Sequence, residues 1–591
     1  MLGVPIKNPD AAKCIFADPK NQNARSGLIW YISSTYIGSV LKKGTSPVRS
    51  HQEVRQVPVP AAGKNRKEKG RVRQQVIATL GRMDELSAKG CVETLIRSLS
   101  RFSEQAMLII SGKSDVSLEA KKIGPTLIFE RLWEQTGIGQ AIRRQADERK
   151  FGFDVERAVF LTVLQRLMVA GSDRFCVRWQ RDYLIEGMEG IEPQHLYRAM
   201  GFLGEELAEQ RPAVALAPRC TKDRIEEDIF FHRRHLFSGL DLVFFDTTSL
   251  YFEGAGGESI GLRGFSKDHR PDLKQMVLEV VIDDKGLPIC CEMWPGNTAD
   301  VKSLLPVVES IRKRFAIKSF CIVADRGMIS AETLAQLESA QSPLPYILGV
   351  RMRKLKGMAE VLSRAGRFRQ IHPGGRGSKD PSPLSVKQVM HNGDRYIVWF
   401  NPWQARKDAQ QREQILSALS EQLKQGATSL VGNKGFRRYL KIDKGAARID
   451  EAKAKAGARY DGKWVLRTNT DLSAEQVALK YQQLWQVERV FRDVKSLLIT
   501  RPIFHQRDRT IRGHVFCSFL ALVLRKELDR CLEQAGQRLE WAEIKQDLQA
   551  LQTVTIEESG NRFAVRSQCQ GVCGKIFQAV GVALPPTIRE L

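Results

Sequence analysis

The sequence predicts an α/β fold, a mixed sheet split by a β-rich insertion and preceded by a mostly helical N-terminal region. Three observations carry that expectation. Leu242-Val243-Phe244-Phe245 and Phe320-Cys321-Ile322-Val323-Ala324 are unbroken apolar runs, which read as strands buried on both faces. Segments 275–282 and 288–294 read as two further strands, joined by Asp283-Asp284-Lys285-Gly286, a hairpin turn. Helical spacing at 301–315 then separates the hairpin from the second apolar run, so the layer starts antiparallel and continues through a crossover.

A chain of 591 residues is too long for one core, and three or four domains are expected. Lys plus Arg number 92 against 67 Asp plus Glu, a net charge of +25 that favours a polyanionic partner, nucleic acid first. A membrane surface is the rival, but neither a basic amphipathic helix nor a lipid anchor is present. No apolar run approaches the ~18–20 residues of a membrane span, and the N-terminus lacks the order of a secretory signal. The eleven cysteines are scattered and odd in number, which fits a reduced cytoplasmic setting, nucleoid-associated if DNA is the partner. Cys569 and Cys573 form a lone C-x3-C without a second ligand pair, too little for zinc, and His232-Arg233-Arg234-His235 reads as a basic surface turn.

Along the chain, 1–50 is an atypical N-terminal extension, and 51–235 is a mostly helical DNA-binding region. Its basic stretch 64–73 leads into a strand at 76–82, and helical spacing recurs at 155–168 and 196–207. Trp179, among basic neighbours on a further helix, reads as a core residue before a base-stacking one. Segment 236–345 is the first part of the α/β core, with Ser330 capping its last helix. An insertion follows at 346–464, with a basic stretch at 351–369, a Gly/Pro/Ser-rich loop, strands at 396–400 and 463–468, and a charged helix at 403–425. Segment 465–530 completes the core with a long helix from 473 to 498, where Ser473 and Gln476 have capping-box spacing. Residues 531–591 form a C-terminal helical tail.

Two acids, Asp246 and Asp325, end the two buried strands, where α/β sheets place their ligands. Either one alone reads more readily as a plain helix cap or turn residue. A third acid, Glu488, lies on the long helix. At ~100° per residue, Tyr481, Glu488 and Lys495 share a face, beside an apolar stripe of Leu484, Val487, Phe491, Val494 and Leu498. The plainer alternative is a surface charge ladder of Glu488, Arg492 and Lys495. Three carboxylates gathered at one site need a cation to remain ionised, and hard oxygen ligands suit Mg2+ or Mn2+. Two such ions about 3.5–4 Å apart serve phosphodiester hydrolysis.

The chain resembles the DDE transposases of bacterial insertion sequences, in the branch with a Tyr-Arg-Glu-Lys helix signature, Y-x2-R-x3-E-x6-K. Tyr481, Glu488 and Lys495 stand at the signature's spacing, and Leu484 stands where it has arginine. Phe245-Asp246-Thr247-Thr248-Ser249, Gly264-Phe265-Ser266-Lys267-Asp268, Pro295-Gly296-Asn297-Thr298, Ala324-Asp325-Arg326-Gly327-Met328, Asp461-Gly462-Lys463-Trp464 and Ile511-Arg512-Gly513-His514-Val515 are similar to the family too. The resemblance implies a ribonuclease H-like core split by a mostly β insertion before the glutamate helix. It implies double-stranded DNA as partner, both terminal inverted repeats and target, two protomers paired on DNA, and cut-and-paste chemistry with two Mg2+ or Mn2+ ions. Asp246, Asp325 and Glu488 would be the catalytic metal ligands. Tyr481 and Lys495 would hold phosphates, with Arg326, Arg489 and Arg492 as further DNA contacts, the last two in place of the missing arginine. Two rivals stay open: a nuclease that does not join strands, and an inactive DNA-binding derivative acting as repressor or scaffold.

Overall fold

The apolar run at Leu242 is free of polar residues because both faces of its strand are covered. The computed structural model describes residues 31–33, 61–68, 71–79, 117–208, 217–237, 242–317, 320–328, 330–339, 343–373, 382–425, 436, 438–443, 446–558 and 561–591. Strands β1 (Tyr31–Ser33), β2 (Ala61–Glu68) and β3 (Arg71–Thr79) form an antiparallel sheet in one unit, Met1–Glu119 with Thr555–Arg562. Apart from β1, the 1–50 extension lies outside the described residues. Strand β4 (Ser117–Lys122) leads into the second unit, Ala120–Val554 with Phe563–Leu591, which holds everything discussed below.

Six helices come first: α1 (Gly124–Gln135), α2 (Ile138–Ala146), α3 (Val155–Val169), α4 (Asp173–Trp179), α5 (Pro193–Leu203) and α6 (Thr221–His232). Helix α3 starts where the Asp154 carboxylate accepts from the Arg157 N–H, and it is buried nearly all round, as its unbroken apolar character demands. Trp179 is buried and its ring lies 4.0 Å from that of Tyr183, a core residue as read from the sequence.

Strands β5 (Leu242–Tyr251), β6 (Gln275–Asp283) and β7 (Pro288–Pro295) run antiparallel. On the other side β5 pairs parallel with β8 (Cys321–Ala324), and β8 parallel with β9 (Tyr346–Gly349). Helices α7 (Asp300–Phe315) and α8 (Ala331–Ser339) follow β7 and β8, and the Ser330 hydroxyl accepts from the Thr333 N–H at 3.0 Å. The β6–β7 turn closes on Asp283, whose carboxylate accepts from the N–H groups of Lys285 and Leu287, while Gly286 takes the positive φ of 77° that a side chain would resist.

The segment after β9 contains α9 (Met358–Ser363), β10 (Arg369–His372), β11 (Leu384–His391), β12 (Asp394–Phe400), α10 (Pro402–Gln425), β13 (Leu440–Asp443), β14 (Ala446–Ile449), α11 (Glu451–Ala458) and β15 (Lys463–Thr468). Most of these strands extend the core sheet, which reads β10-β11-β12-β15-β9-β8-β5-β6-β7. Strand β9, read from sequence as the start of the insertion, is therefore a strand of the central sheet.

The helix expected over 473–498 is in three pieces: α12 (Ala474–Gln482), α13 (Trp485–Arg492) and a π-helical turn, Asp493–Leu497. At the first joint Gln483, Leu484, Gln486 and Val487 each bond three residues back instead of four. The tight turns there and the wide turn after Arg492 alter the rotation between positions, so seven-residue spacing no longer guarantees one face. The chain ends with α14 (Asp508–Gln534), α15 (Trp541–Ala550), β16 (Gln552–Glu558), β17 (Asn561–Arg566), α16 (Cys573–Val580) and β18 (Ile588–Glu590). Among the described residues no helix is long and apolar enough to cross a membrane.

The sheet's two faces carry separate cores. Leu242, Phe244, Cys321 and Val323 pack with Val487, Val490 and Phe491 of α13 and with the large helical cluster around α3 and α14. Val243, Phe245, Ile322 and Ala324 pack with Leu304, Val307, Val308 and Ile311 of α7. On that second side a buried ion network ties α6, β7 and α7 together. The Arg314 guanidinium reaches Asp223 at 3.1 Å, Glu226 at 2.6 Å and Glu292 at 3.1 Å, and Lys222 lies 2.8 Å from Asp223. Removing one partner strands the others in the interior, which costs about 3–5 kcal/mol. Arg314→Met should therefore lower the free energy of urea unfolding by about that amount, whereas Lys313→Met, on the exposed side of the same helix, should change it by less than about 0.5 kcal/mol.

Candidate active site

Parallel register between β5 and β8 builds the centre of the site. Phe245 pairs with Ala324, so Asp246 and Asp325 are the next residues on adjacent strands. Side chains alternate along a strand, so both acids follow Phe244 and Val323 onto the face covered by α13. Asp325 ends its strand as expected, with the turn Arg326–Met328 next. Asp246 does not: β5 continues to Tyr251 because β6 still pairs with it. What ends at Phe245 is the parallel pairing.

Burial pushes Asp246 up to about 6; Lys267 and the Thr247 N–H pull it back, and Asp325 and Asp300 push it further. Its Oδ1 accepts from the Thr247 N–H at 2.7 Å. Asp325 Oδ1 accepts from the Tyr481 hydroxyl at 3.0 Å. Burial and Asp325 raise the Tyr481 pKa well above its ordinary value, so this hydroxyl stays a donor. It reaches Asp325 past Gly349, where a Cβ would stand 2.5 Å from the tyrosine oxygen.

Glu488 lies on α13 at the edge of its buried stripe and is exposed. That helix packs on β5 and β6, and the Gln486 amide donates to the Asp284 carbonyl in the β6–β7 turn. Among the described residues Glu488 has no hydrogen bond or ion pair, and its carboxylate is not closed onto the two aspartates as a tight three-ligand cluster. Among the described residues the cluster that does close to within 4.8 Å is Asp173, His505 and His514. There the Arg166 guanidinium already supplies the cation, 2.9 Å from His514 Nδ1 and 3.9 Å from Asp173.

Lys495 does not share a face with Glu488. It sits in the π-helical turn, and its ammonium lies 2.8 Å from Asp268. Tyr481, too, is committed to a carboxylate. Leu484 is buried at the helix joint, while Arg489, Arg492 and Arg326 are exposed. Arg351, read in sequence only as part of a basic stretch, donates to the carbonyls of Arg326 and Gly327 at 2.8 Å each and so braces the turn after Asp325.

Two residues escaped the sequence reading. Asp300, at the first turn of α7, accepts from the Thr247 hydroxyl at 2.7 Å and lies 3.3 Å from Lys267. Lys267 also donates to the Thr247 carbonyl and hydroxyl, each at 2.6 Å. Asp300 follows the Pro295-Gly296-Asn297-Thr298 turn and Lys267 lies in the Gly264–Asp268 motif, so their motifs were visible but their roles were not. A cavity of about 780 Å³ opens here, lined by Lys267, Asp300, Asp325, Arg326, Arg351 and Lys354 among others. Carboxylates and cations together on one cavity wall suit a metal ion and a phosphate.

Residues 238–524 match the family model of the transposase DDE domain. The chain is a DDE-type transposase, an enzyme of DNA cleavage and strand transfer. Residues 64–113 match the N-terminal domain of the IS1634 family transposases, which supports an insertion-sequence enzyme. No curated protein matches. Among solved structures, a cryo-EM structure of piggyBac transposase in a synaptic complex with hairpin DNA is similar over 72% of this chain and 79% of that one, with 10% identity and a TM-score of 0.34.

Glu279 of the transposase sits opposite Thr247 on β6, fully buried, with the Trp294 indole donating to it at 3.1 Å. Burial pushes its pKa from 4.5 up to about 8. The folded protein therefore keeps a proton that the unfolded chain releases. Stability from this group is complete below about pH 4.5 and is lost as the pH rises to about 8. Glu279→Gln cannot ionise, so its urea midpoint should exceed that of the wild type at pH 9 and change less than the wild type's between pH 5 and 9.

Proposed function

We propose that this transposase cuts DNA at the ends of an insertion sequence and joins the freed 3′ hydroxyl to target DNA, with Asp246, Asp325 and Glu488 as its metal ligands. The observation that carries this reading is the pair of acids side by side at the end of the β5–β8 pairing, facing the glutamate helix. The sheet order β7-β6-β5-β8-β9, three strands antiparallel and then two parallel, supports a ribonuclease H-like core with the 350–464 segment inserted before that helix.

The donor set fits hard divalent cations. Burial first, and then the neighbouring acids Asp325 and Asp300, raise the Asp246 carboxyl, and a bound cation would offset both. Bound Mg2+ or Mn2+, two ions on this reading, supply charge stabilisation for an in-line displacement at phosphorus. The chain's own residues orient the ligands. The Thr247 N–H holds Asp246, and the Tyr481 hydroxyl holds Asp325. Arg351 holds the backbone of the turn that follows. Arg326, Arg489 and Arg492 are exposed and free to meet phosphates of duplex DNA at inverted repeats and target, with two protomers paired on it. Tyr481 acts here through Asp325, as a positioning residue.

Asp246→Asn, Asp325→Asn and Glu488→Gln should each abolish cleavage of a duplex carrying the DNA that flanks the gene, while binding to that duplex persists. Wild-type cleavage by any one of them removes that residue from the site. Tyr481→Phe should slow single-turnover cleavage about tenfold while stability falls by no more than about 1–1.5 kcal/mol, the worth of one hydrogen bond. A stability loss large enough to unfold the protein at the assay temperature would make the tyrosine a core residue instead.

A further inference from the structure

We propose that Lys267 and Asp268 form a strap that sets the position of the glutamate helix against the two catalytic aspartates. This rests on the metal-ligand reading above. The connection between β5 and β6, residues 252–274, is long for a sheet neighbour and is pinned at several points. At its start the Glu253 N–H donates to the Ile503 carbonyl at 3.0 Å. Further on, Asp508 accepts from the N–H groups of Glu258 and Ser259. At the crossing point two adjacent residues of opposite charge reach in different directions.

Lys267 points to the aspartate side. Its N–H donates to the Ser249 hydroxyl at 2.9 Å, and its ammonium donates to the carbonyl and hydroxyl of Thr247, the residue beside Asp246. Asp300 completes that grip at 3.3 Å. Asp268 points to the glutamate side. Its carboxylate lies 2.8 Å from Lys495 in the turn directly after α13, and 3.3 Å from Arg501. Asp268 and Lys495 are both largely shielded from water, so the attraction is weakly screened. One peptide unit therefore separates an anchor beside Asp246 from an anchor at the end of the helix bearing Glu488. At its other end that helix meets the β6–β7 turn through Gln486. The spacing between metal ligands on β5 and on α13 is thus held at both ends of the helix, and it stays constant only while the strap is closed. Metal affinity depends steeply on such spacing, because partners behind the ligands typically change it by about 10–100-fold.

The experiment measures Mn2+ binding to the full chain by calorimetry, with melting temperature and affinity for a random-sequence duplex on the same preparations. Asp268→Asn should weaken Mn2+ binding about tenfold and leave duplex affinity unchanged. Asp268→Glu, which keeps the charge but lengthens the arm, should keep the melting temperature and still weaken Mn2+ binding. This second variant carries the test if Asp268→Asn does not fold. Unchanged Mn2+ binding in the folded variants overturns the strap. Tighter duplex binding by Asp268→Asn also overturns it, because Lys495 and Arg501 would then be a phosphate site that Asp268 covers. Asp246→Asn separates the two readings: if it leaves Mn2+ binding intact, the metal-ligand assignment fails; if it removes binding while the Asp268 variants match the wild type, only the strap fails.

Discussion

The site depends on one constraint, the register at which the parallel pairing of β5 and β8 stops. Phe245 and Ala324 are the last paired residues, and their side chains enter the core beneath α7. The next residue on each strand must face the other way. A shift of one residue in either strand would bury an acid among Leu304, Val307 and Ile311 and turn a core residue outward. Such a slip is costly, because the cations on that side, Arg314 and Lys222, are already paired with Asp223, Glu226 and Glu292. Apolar packing on both faces therefore decides where the acids stand before any ligand acts on them.

The molecule treats its buried charges in two ways. Around Arg314 each acid has a basic partner, and the network joins a helix of the N-terminal region to the sheet and to α7. Around Asp246 the balance is left short. Lys267 is the cation that opposes its raised pKa, while Asp325 and Asp300 add to the repulsion. The first arrangement is closed and gains nothing from a further ion. The second would be relieved by a divalent cation, and the cavity beside it is lined by Arg326, Arg351 and Lys354, which suit the anion that such a cation would share. The same contrast disposes of Asp173, His505 and His514, whose geometry is compact but whose charge Arg166 already balances.

Much of this was legible in the residues. The strands beginning at Leu242, Gln275, Pro288 and Lys463, the turn at Asp283 and the cap at Ser473 follow from local pattern, and the structure has them within a few residues. Asp246 and Asp325 were visible as acids after apolar runs. The extent of β5 was not, since Thr247-Thr248-Ser249 pairs as a strand only because β6 lies alongside. The roles of Lys267, Asp268 and Asp300 were illegible for a related reason. Each depends on a partner far away in the chain, and no periodicity encodes a contact between the β5–β6 connection and the turn after α13.

The helix joint at Leu484 shows how a spacing can mislead while its residues stay relevant. On one straight helix Tyr481, Glu488 and Lys495 would make a single polar seam. The tight joint and the wide turn distribute them instead: Tyr481 under β9 to Asp325, Glu488 to the edge of the buried stripe, Lys495 to Asp268. Burying Leu484 at the joint removes an exposed position that an arginine could use. A straight helix would need one rigid-body placement to serve all three side chains. A jointed one lets each segment be positioned by its own neighbour, with α12 against the inserted strands and α13 against β5 and β6. The glutamate's placement then rests on the connections flanking β6, which is why two loop residues and one hairpin turn matter to it more than its own helical register does.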